Sequence, residues 1–118
     1  MKKMRLLLLA AAAVTACLLA QSDAETLHKL FADYHEDFLR DSPERATLAG
    51  LQNYNHRWQD LSTGGIERRR KMFEAYLVRL RPFRGAALNE QDRMSYRLLE
   101  WQLHNQLDGA DINSYYIL

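Results

Sequence analysis

The sequence predicts an all-α fold of about four helices in an irregular antiparallel bundle. Three observations predict it. Apolar residues recur at three- and four-residue spacing in separate stretches. Ser, Asn and Asp stand at cap positions ahead of those stretches. Only two prolines interrupt 118 residues that are 47% apolar and 26% charged, a globular composition and not a disordered one.

Residues 1–24 have the layout of a signal peptide. Lys2, Lys3 and Arg5 precede an unbroken apolar run, Leu6 to Ala20, which gives way to Gln21-Ser22-Asp23. That run is shorter than the roughly 20 residues a permanent transmembrane helix needs. Two processing routes fit. Val14-Thr15-Ala16-Cys17 is a candidate lipobox with Cys17 as the lipidation candidate, and Ala20 and Ser22-x-Ala24 offer small residues for ordinary cleavage. Either route places residues 25–118 outside the cytoplasm: in the periplasm, on the outer membrane as a lipoprotein, or in the exterior. The membrane is then a partner only through a lipid anchor on Cys17.

Ser22 and Glu25 have capping-box spacing and predict a helix start. Leu27, Leu30, Phe31, Tyr34 and Phe38 form its apolar face, with Lys29/Asp33 and Glu36/Arg40 paired one turn apart on the other side. Asp41 or Ser42 caps a short second helix opened by Pro43 and closed by Gly50. Between Leu51 and Gly65 the periodicity lapses into a loop carrying Tyr54 and Trp58, two aromatics expected to plug the adjacent core.

A third helix is expected from Ser62 or Thr63 to about Arg81. Ile66, Phe73, Tyr76, Leu77 and Leu80 form its apolar face, Pro82 ends it, and Gly64-Gly65 frays its first turn. Asn89 and Asp92 open a fourth helix to about Asp108, ended by Gly109. Met94, Leu98 and Trp101, with Leu99, Leu103 and Leu107 beside them, give it a wide apolar face that implies contact on two sides. Ile112 to Leu118 is rich in β-formers and reads as an extended segment. A lone strand leaves backbone groups unpaired, so the natural protein is expected to continue beyond it.

Charge and motifs exclude several functions. Beyond the apolar run 13 basic residues face 15 acidic ones, so no global field holds a polyanion, and nucleic acid is not an expected partner. Cys17, the single cysteine, excludes an internal disulfide. His35-Glu36 begins like the zinc-protease motif H-E-x-x-H, but Leu39 stands where the second histidine is needed. His28 and His35 are two turns apart, too far for one zinc without a third group. Glu100 and His104 read as a surface hydrogen bond, and His56 has no evident partner. No G-x-S-x-G surrounds a serine, and Gly64-Gly65 lacks the lysine of a phosphate loop. Arg68-Arg69-Arg70-Lys71 fans around the helix and reads as solvated, with Glu67/Lys71 and Arg70/Glu74 one turn apart. Its charge is unfavourable at a helix N-terminus unless something outside compensates, an acidic docking surface being the alternative.

These residues resemble, in order and spacing, the N-terminal region of the bacterial family catalogued as domain of unknown function 885, from about Leu27 to Leu118. The pieces that carry the resemblance are Ser42-Pro43-Glu44-Arg45-Ala46-Thr47-Leu48-Ala49-Gly50, Asp60-Leu61-Ser62, Leu88-Asn89-Glu90-Gln91-Asp92-Arg93 and Tyr96-Arg97-Leu98-Leu99-Glu100-Trp101. Gly64-Gly65 departs from it. The resemblance implies a longer, mostly helical, exported parent that carries H-E-x-x-H in its C-terminal half, binds zinc and looks like a metallopeptidase acting on peptides. None of those zinc-motif residues has a counterpart here, so no catalytic or metal position carries over.

The chain then reads as the non-catalytic N-terminal helical segment of such a parent. Its partner is the rest of that protein, and Tyr54 and Trp58 are its cleft or interface contacts. The alternative is a complete small helical periplasmic lipoprotein that binds a partner through the wide face of the fourth helix. In isolation the segment is expected to be marginally stable, since a chain this short buries only about two-thirds of its unfolded surface.

Overall fold

The structure is a computed structural model that describes the backbone of residues 1–116 and the side chains of residues 1, 4, 14–15 and 17–109. Among the described residues four α-helices follow in order: α1 (Lys2–Asp41), α2 (Pro43–Leu48), α3 (Thr63–Leu80) and α4 (Glu90–Tyr116). A 3₁₀ turn, Arg81–Gly85, joins α3 to α4. The all-α expectation therefore holds.

Side-chain pairings between helices fix their directions. From α1 to α3, Asp33 meets Arg79, Asp37 meets Tyr76 and Asp41 meets Arg69, so these two run antiparallel. From α1 to α4, His28 meets Asp92 and Tyr34 meets Gln102, so these two run parallel. The result is an up-down-up arrangement with α3 opposed to both neighbours. Its core is Leu27, Leu30 and Tyr34 of α1, Phe73, Tyr76 and Leu80 of α3, and Tyr96, Leu99 and Leu103 of α4, closed at one end by Phe83 and Leu88. Tyr34 stands edge-on to Tyr76 at 5.2 Å, the geometry that sets the positive edge of one ring against the negative face of the other.

Local starts follow the sequence closely. Ser62 caps α3 by accepting the Gly65 N–H at 3.1 Å, and Asn89 accepts the Asp92 N–H at 2.8 Å at the head of α4. At the end of α2, Gly50 has φ +80°, while Leu51 N–H bonds Ala46 O and Gly50 N–H bonds Thr47 O, the two bonds of a Schellman cap.

Three expectations are corrected. No helix begins at Ser22: α1 runs through it, with the Thr26 hydroxyl donating to Ser22 O at 2.8 Å, because Ala- and Leu-rich sequence without glycine or proline gives a helix no reason to stop. Gly109 does not end α4 either. The helix continues to Tyr116 where an extended segment is expected, since an interior glycine costs only about 1 kcal/mol and the positive-φ exit that ends α2 is not adopted there. Of that expected strand, residues 117–118 lie outside the described residues. Third, Gly65 does not fray α3. It is buried, and a Cβ there would collide with the backbone and side chain of Asp60. The glycine is the condition for the loop to lie against the helix.

Among the described residues no helix is long and apolar enough to cross a membrane. Cys17 is exposed.

Candidate functional site

The end of α1, α2, the loop of residues 51–62 and the start of α3 meet in one polar junction. Its anchor is Asp60, which accepts the Ser62 N–H at 3.0 Å and pairs with Arg68. Hydrogen bonding from Ser62, and then the Arg68 guanidinium, hold its carboxyl well below the usual carboxylate range. Arg69 bridges the junction, pairing with Asp41 of α1 and donating to Asp60 O at 3.1 Å. Gln59 ties the loop to α2, its N–H bonding Glu44 at 3.0 Å and its amide donating to Ser42 at 3.1 Å. The Gln59 N–H is also the main reason the Glu44 carboxyl is held low.

These bonds answer the charge question raised by the basic run. Arg68 and Arg69 are compensated by Asp60 and Asp41, and Arg70 and Lys71 by Glu67 and Glu74. Compensation of the helix start thus comes from within the chain.

Tyr54 and Trp58 behave differently from each other and from expectation. Tyr54 is half-buried and its hydroxyl donates to Glu36 of α1, which raises the phenol above its ordinary pKa. Trp58 does not plug the core. It is 85% exposed, because the anchors at Gln59 and Asp60 hold the loop along the polar ends of α1 and α2. It lines two open hollows instead. One, of about 500 Å³, is formed with Leu48, Asn55 and Arg57, Asn55 accepting the Thr47 hydroxyl at 2.7 Å. The other, of about 360 Å³, is charged and formed with Asp37, Arg40 and Arg68.

A third pocket, of about 450 Å³, was not foreseen. It opens between the end of α1 and the later turns of α4. Phe38 and Phe73 line it with the guanidinium groups of Arg45, Arg69 and Arg70, the carboxylate of Glu44 and the amides of Gln59 and Gln106. Arg45 packs over the Phe38 ring at 5.6 Å, a cation–π contact. The basic run at the start of the third helix points to Arg69 and Arg70, and nothing local points to Arg45 on α2. Nothing local points to Gln106.

The remaining candidates are dispersed. His28 bonds the buried carboxylate of Asp92 at 2.6 Å, and Asn89 holds the other oxygen of that carboxylate at 2.8 Å. Glu100 does not pair with His104 by hydrogen bonding. It accepts from Arg84 at 3.1 Å and Tyr96 at 3.0 Å, bonds that outweigh the raising effect of burial and hold its carboxyl low. Among the described residues no three of His, Cys, Asp and Glu converge, so these side chains do not fit a zinc ion.

The wide apolar face of α4 is covered on one side only among the described residues, although its width implies contact on two. Leu99 and Leu103 are buried, while Met94, Leu98 and Trp101 are 62%, 61% and 64% exposed, one turn apart along the helix.

The profile of a family described as a bacterial protein of unknown function, DUF885, matches residues 43–117. The chain belongs to DUF885. The matched stretch takes in α2, the Tyr54–Trp58 loop, α3 and α4, so the exposed α4 stripe, the 500 Å³ hollow and most of the charged hollow and of the 450 Å³ pocket lie on DUF885 sequence. No curated protein and no solved structure matches the chain.

Proposed function

We propose that this chain is the non-catalytic N-terminal helical segment of an exported DUF885 protein, a hydrolase resembling zinc metallopeptidases whose H-E-x-x-H site lies outside these residues. One observation supports the reading above the others. Met94, Leu98 and Trp101 form a continuous apolar stripe on the side of α4 turned away from the core, within the family-matched stretch. Exposed apolar patches of this kind mark contact surfaces, and the remainder of the parent is the partner the resemblance supplies. Leu6 to Ala20 directs export, with Cys17 as the candidate lipid-attachment point and ordinary cleavage after Ala20 or Ala24 as the other route. In the parent, Tyr54 and Trp58 wall one side of a cleft that admits peptide. The segment contributes shape and contact to that cleft, and the zinc chemistry belongs to other residues.

The test compares this chain with a form extended through the zinc motif. Stoichiometric zinc and chelator-sensitive peptide cleavage are expected in the longer form alone, with Trp101 fluorescence shifted to the blue as the stripe becomes covered. If no longer gene product exists and the short chain is folded, monomeric and metal-free, the second reading replaces the first. The stripe then serves a separate partner of a complete small helical lipoprotein.

A further inference from the structure

The pocket between the end of α1 and α4 has a chemistry that neither the family match nor the zinc reading uses. Its floor is aromatic, Phe38 and Phe73, and Phe73 is part of the closed core. One carboxylate, Glu44, also lines it and accepts the Gln59 N–H at 3.0 Å, against three guanidinium groups. These cations are not equivalent. Arg69 is committed to Asp41 and Asp60 O. Arg70 approaches Glu67 and Glu74 only at 3.4 and 3.7 Å, and its Nε is buried without a hydrogen-bond partner. Arg45 has no ion pair among the described residues. It rests on Phe38 with its donors unspent.

An unpaired guanidinium over an aromatic ring, beside a second one whose inner nitrogen lacks an acceptor, is a receptor for an anion with an apolar body. The planar fork of arginine favours a carboxylate, which it meets through two parallel N–H bonds. The rim narrows the class further. The Gln106 amide has no partner among the described residues, and the Gln59 amide spends only its donor, on Ser42. Free amide donors and acceptors beside an apolar floor match the peptide groups of a ligand, and an alkyl chain has no use for them. At about 450 Å³ the space suits one or two residues of peptide.

We infer that this pocket binds the carboxyl end of a peptide with an apolar last side chain: Arg45 and Arg70 take the carboxylate, Phe38 and Phe73 the side chain, and Gln59 and Gln106 the preceding peptide group. The inference stands on this pocket alone and does not need the parent to be a peptidase.

Titration of the full chain by NMR, with N-acetylphenylalanine, N-acetylphenylalaninamide and octanoate as probes, tests it. The acid is expected to shift the Phe38, Gln59 and Gln106 resonances and to bind about tenfold or more tightly than the amide, since only the acid offers a charged acceptor. Octanoate is expected to bind more weakly than the acid. Arg45→Met keeps an apolar cover on Phe38 and is expected to remove the preference for acid over amide, whereas Arg81→Met, at an exposed arginine outside the pocket, leaves it intact. Equal binding of acid and amide overturns the carboxylate assignment, octanoate as tight as the acid overturns the peptide assignment, and no shifts at millimolar probe overturn the site. The comparison of probes on the unaltered chain does not depend on any variant folding.

Discussion

Replacing each of two adjacent glycines by alanine should change stability in opposite directions. Both Gly64 and Gly65 lie in the first turn of α3, and helix propensity alone treats them alike: alanine gains up to about 1 kcal/mol at either position. Their surroundings differ. A Cβ on Gly64 meets only Arg68 and Ser62 side-chain atoms at 3.7 and 3.8 Å, ordinary contact distances. A Cβ on Gly65 would lie inside the van der Waals radius of the Asp60 backbone oxygen and carboxyl group. That loop cannot drift away freely, because Arg69 holds Asp60 O and both Ser62 and Arg68 hold its carboxylate. Overpacking of this kind costs about 1–3 kcal/mol, which exceeds the propensity gain. Gly64→Ala is therefore expected to stabilise by about 0.5–1 kcal/mol and Gly65→Ala to destabilise by about 1–2 kcal/mol. Urea denaturation followed by circular dichroism measures both, and at about 4 °C per kcal/mol for a chain of this size the melting temperatures should separate clearly. Stabilisation by both substitutions would refute the reasoning and mean that the Asp60 loop is not packed against α3.

Leu103→Ala, at a fully buried position where α4 faces the core, is expected to cost about 2–5 kcal/mol and leave the chain largely unfolded by circular dichroism at room temperature. Trp58→Ala should leave stability within about 0.5 kcal/mol, since the ring is 85% exposed, whereas Tyr54→Phe, which removes the bond to Glu36, should cost about 0.5–1 kcal/mol; equal losses would place Trp58 in the core after all. The carboxyls of Asp33, Glu44, Asp60 and Glu100 are all held low, Asp33 first by Arg79. Such groups bind protons less readily in the folded chain, so their stabilisation is complete above about pH 4 and is lost as the pH falls through their folded values. Tyr34 and Tyr76 are pushed up to about 12, chiefly by burial, so their contribution is complete below about pH 10 and is lost as the pH rises from there towards 12. Melting temperature against pH, with tyrosinate absorbance on the alkaline side, should show a plateau between these limits.

What the sequence revealed and what it hid divide by range. The starts of α3 and α4 were legible because their signals are three residues long, Ser62 with Gly65 and Asn89 with Asp92, whereas Ser22 with Glu25 has the same spacing inside a continuous helix. The end of α2 was legible for the same reason, Gly50 and Leu51 returning their bonds to Thr47 and Ala46. Gly109 carries the same letter without that closure, and the helix passes through it. The role of Gly65 was illegible because the atom it makes room for belongs to a loop residue whose position is set by Arg68 and Arg69. The site divides likewise. A solvent-facing Trp58 and a pocket shared by Arg45, Arg70 and Gln106 are consequences of how the helices dock, and no local spacing announces them.

The docking of α1 on α3 shows how such long-range information is encoded. Asp33, Asp37 and Asp41 repeat every four residues along α1, and on α3 they meet Arg79, Tyr76 and Arg69 in descending order. Read alone, Asp33 was the partner of Lys29, a pairing that survives at 3.0 Å while the same carboxylate also reaches Arg79 at 2.7 Å. The apolar face between the two helices does not by itself select a register, since Leu27, Leu30, Tyr34 and Phe38 would meet apolar partners after a slide of one turn. The acidic row would not tolerate that slide. Displaced by four residues, Asp37 would face Arg79 and Asp41 would face Tyr76, while Arg69 would lose its carboxylate and release Asp60 with it. Exposed ion pairs add little stability one at a time, about 0–1 kcal/mol. Arranged as a row they can still decide between packings that the core leaves nearly equal. In this chain that choice holds the loop, and with it Trp58 and the Arg45 pocket, where they are.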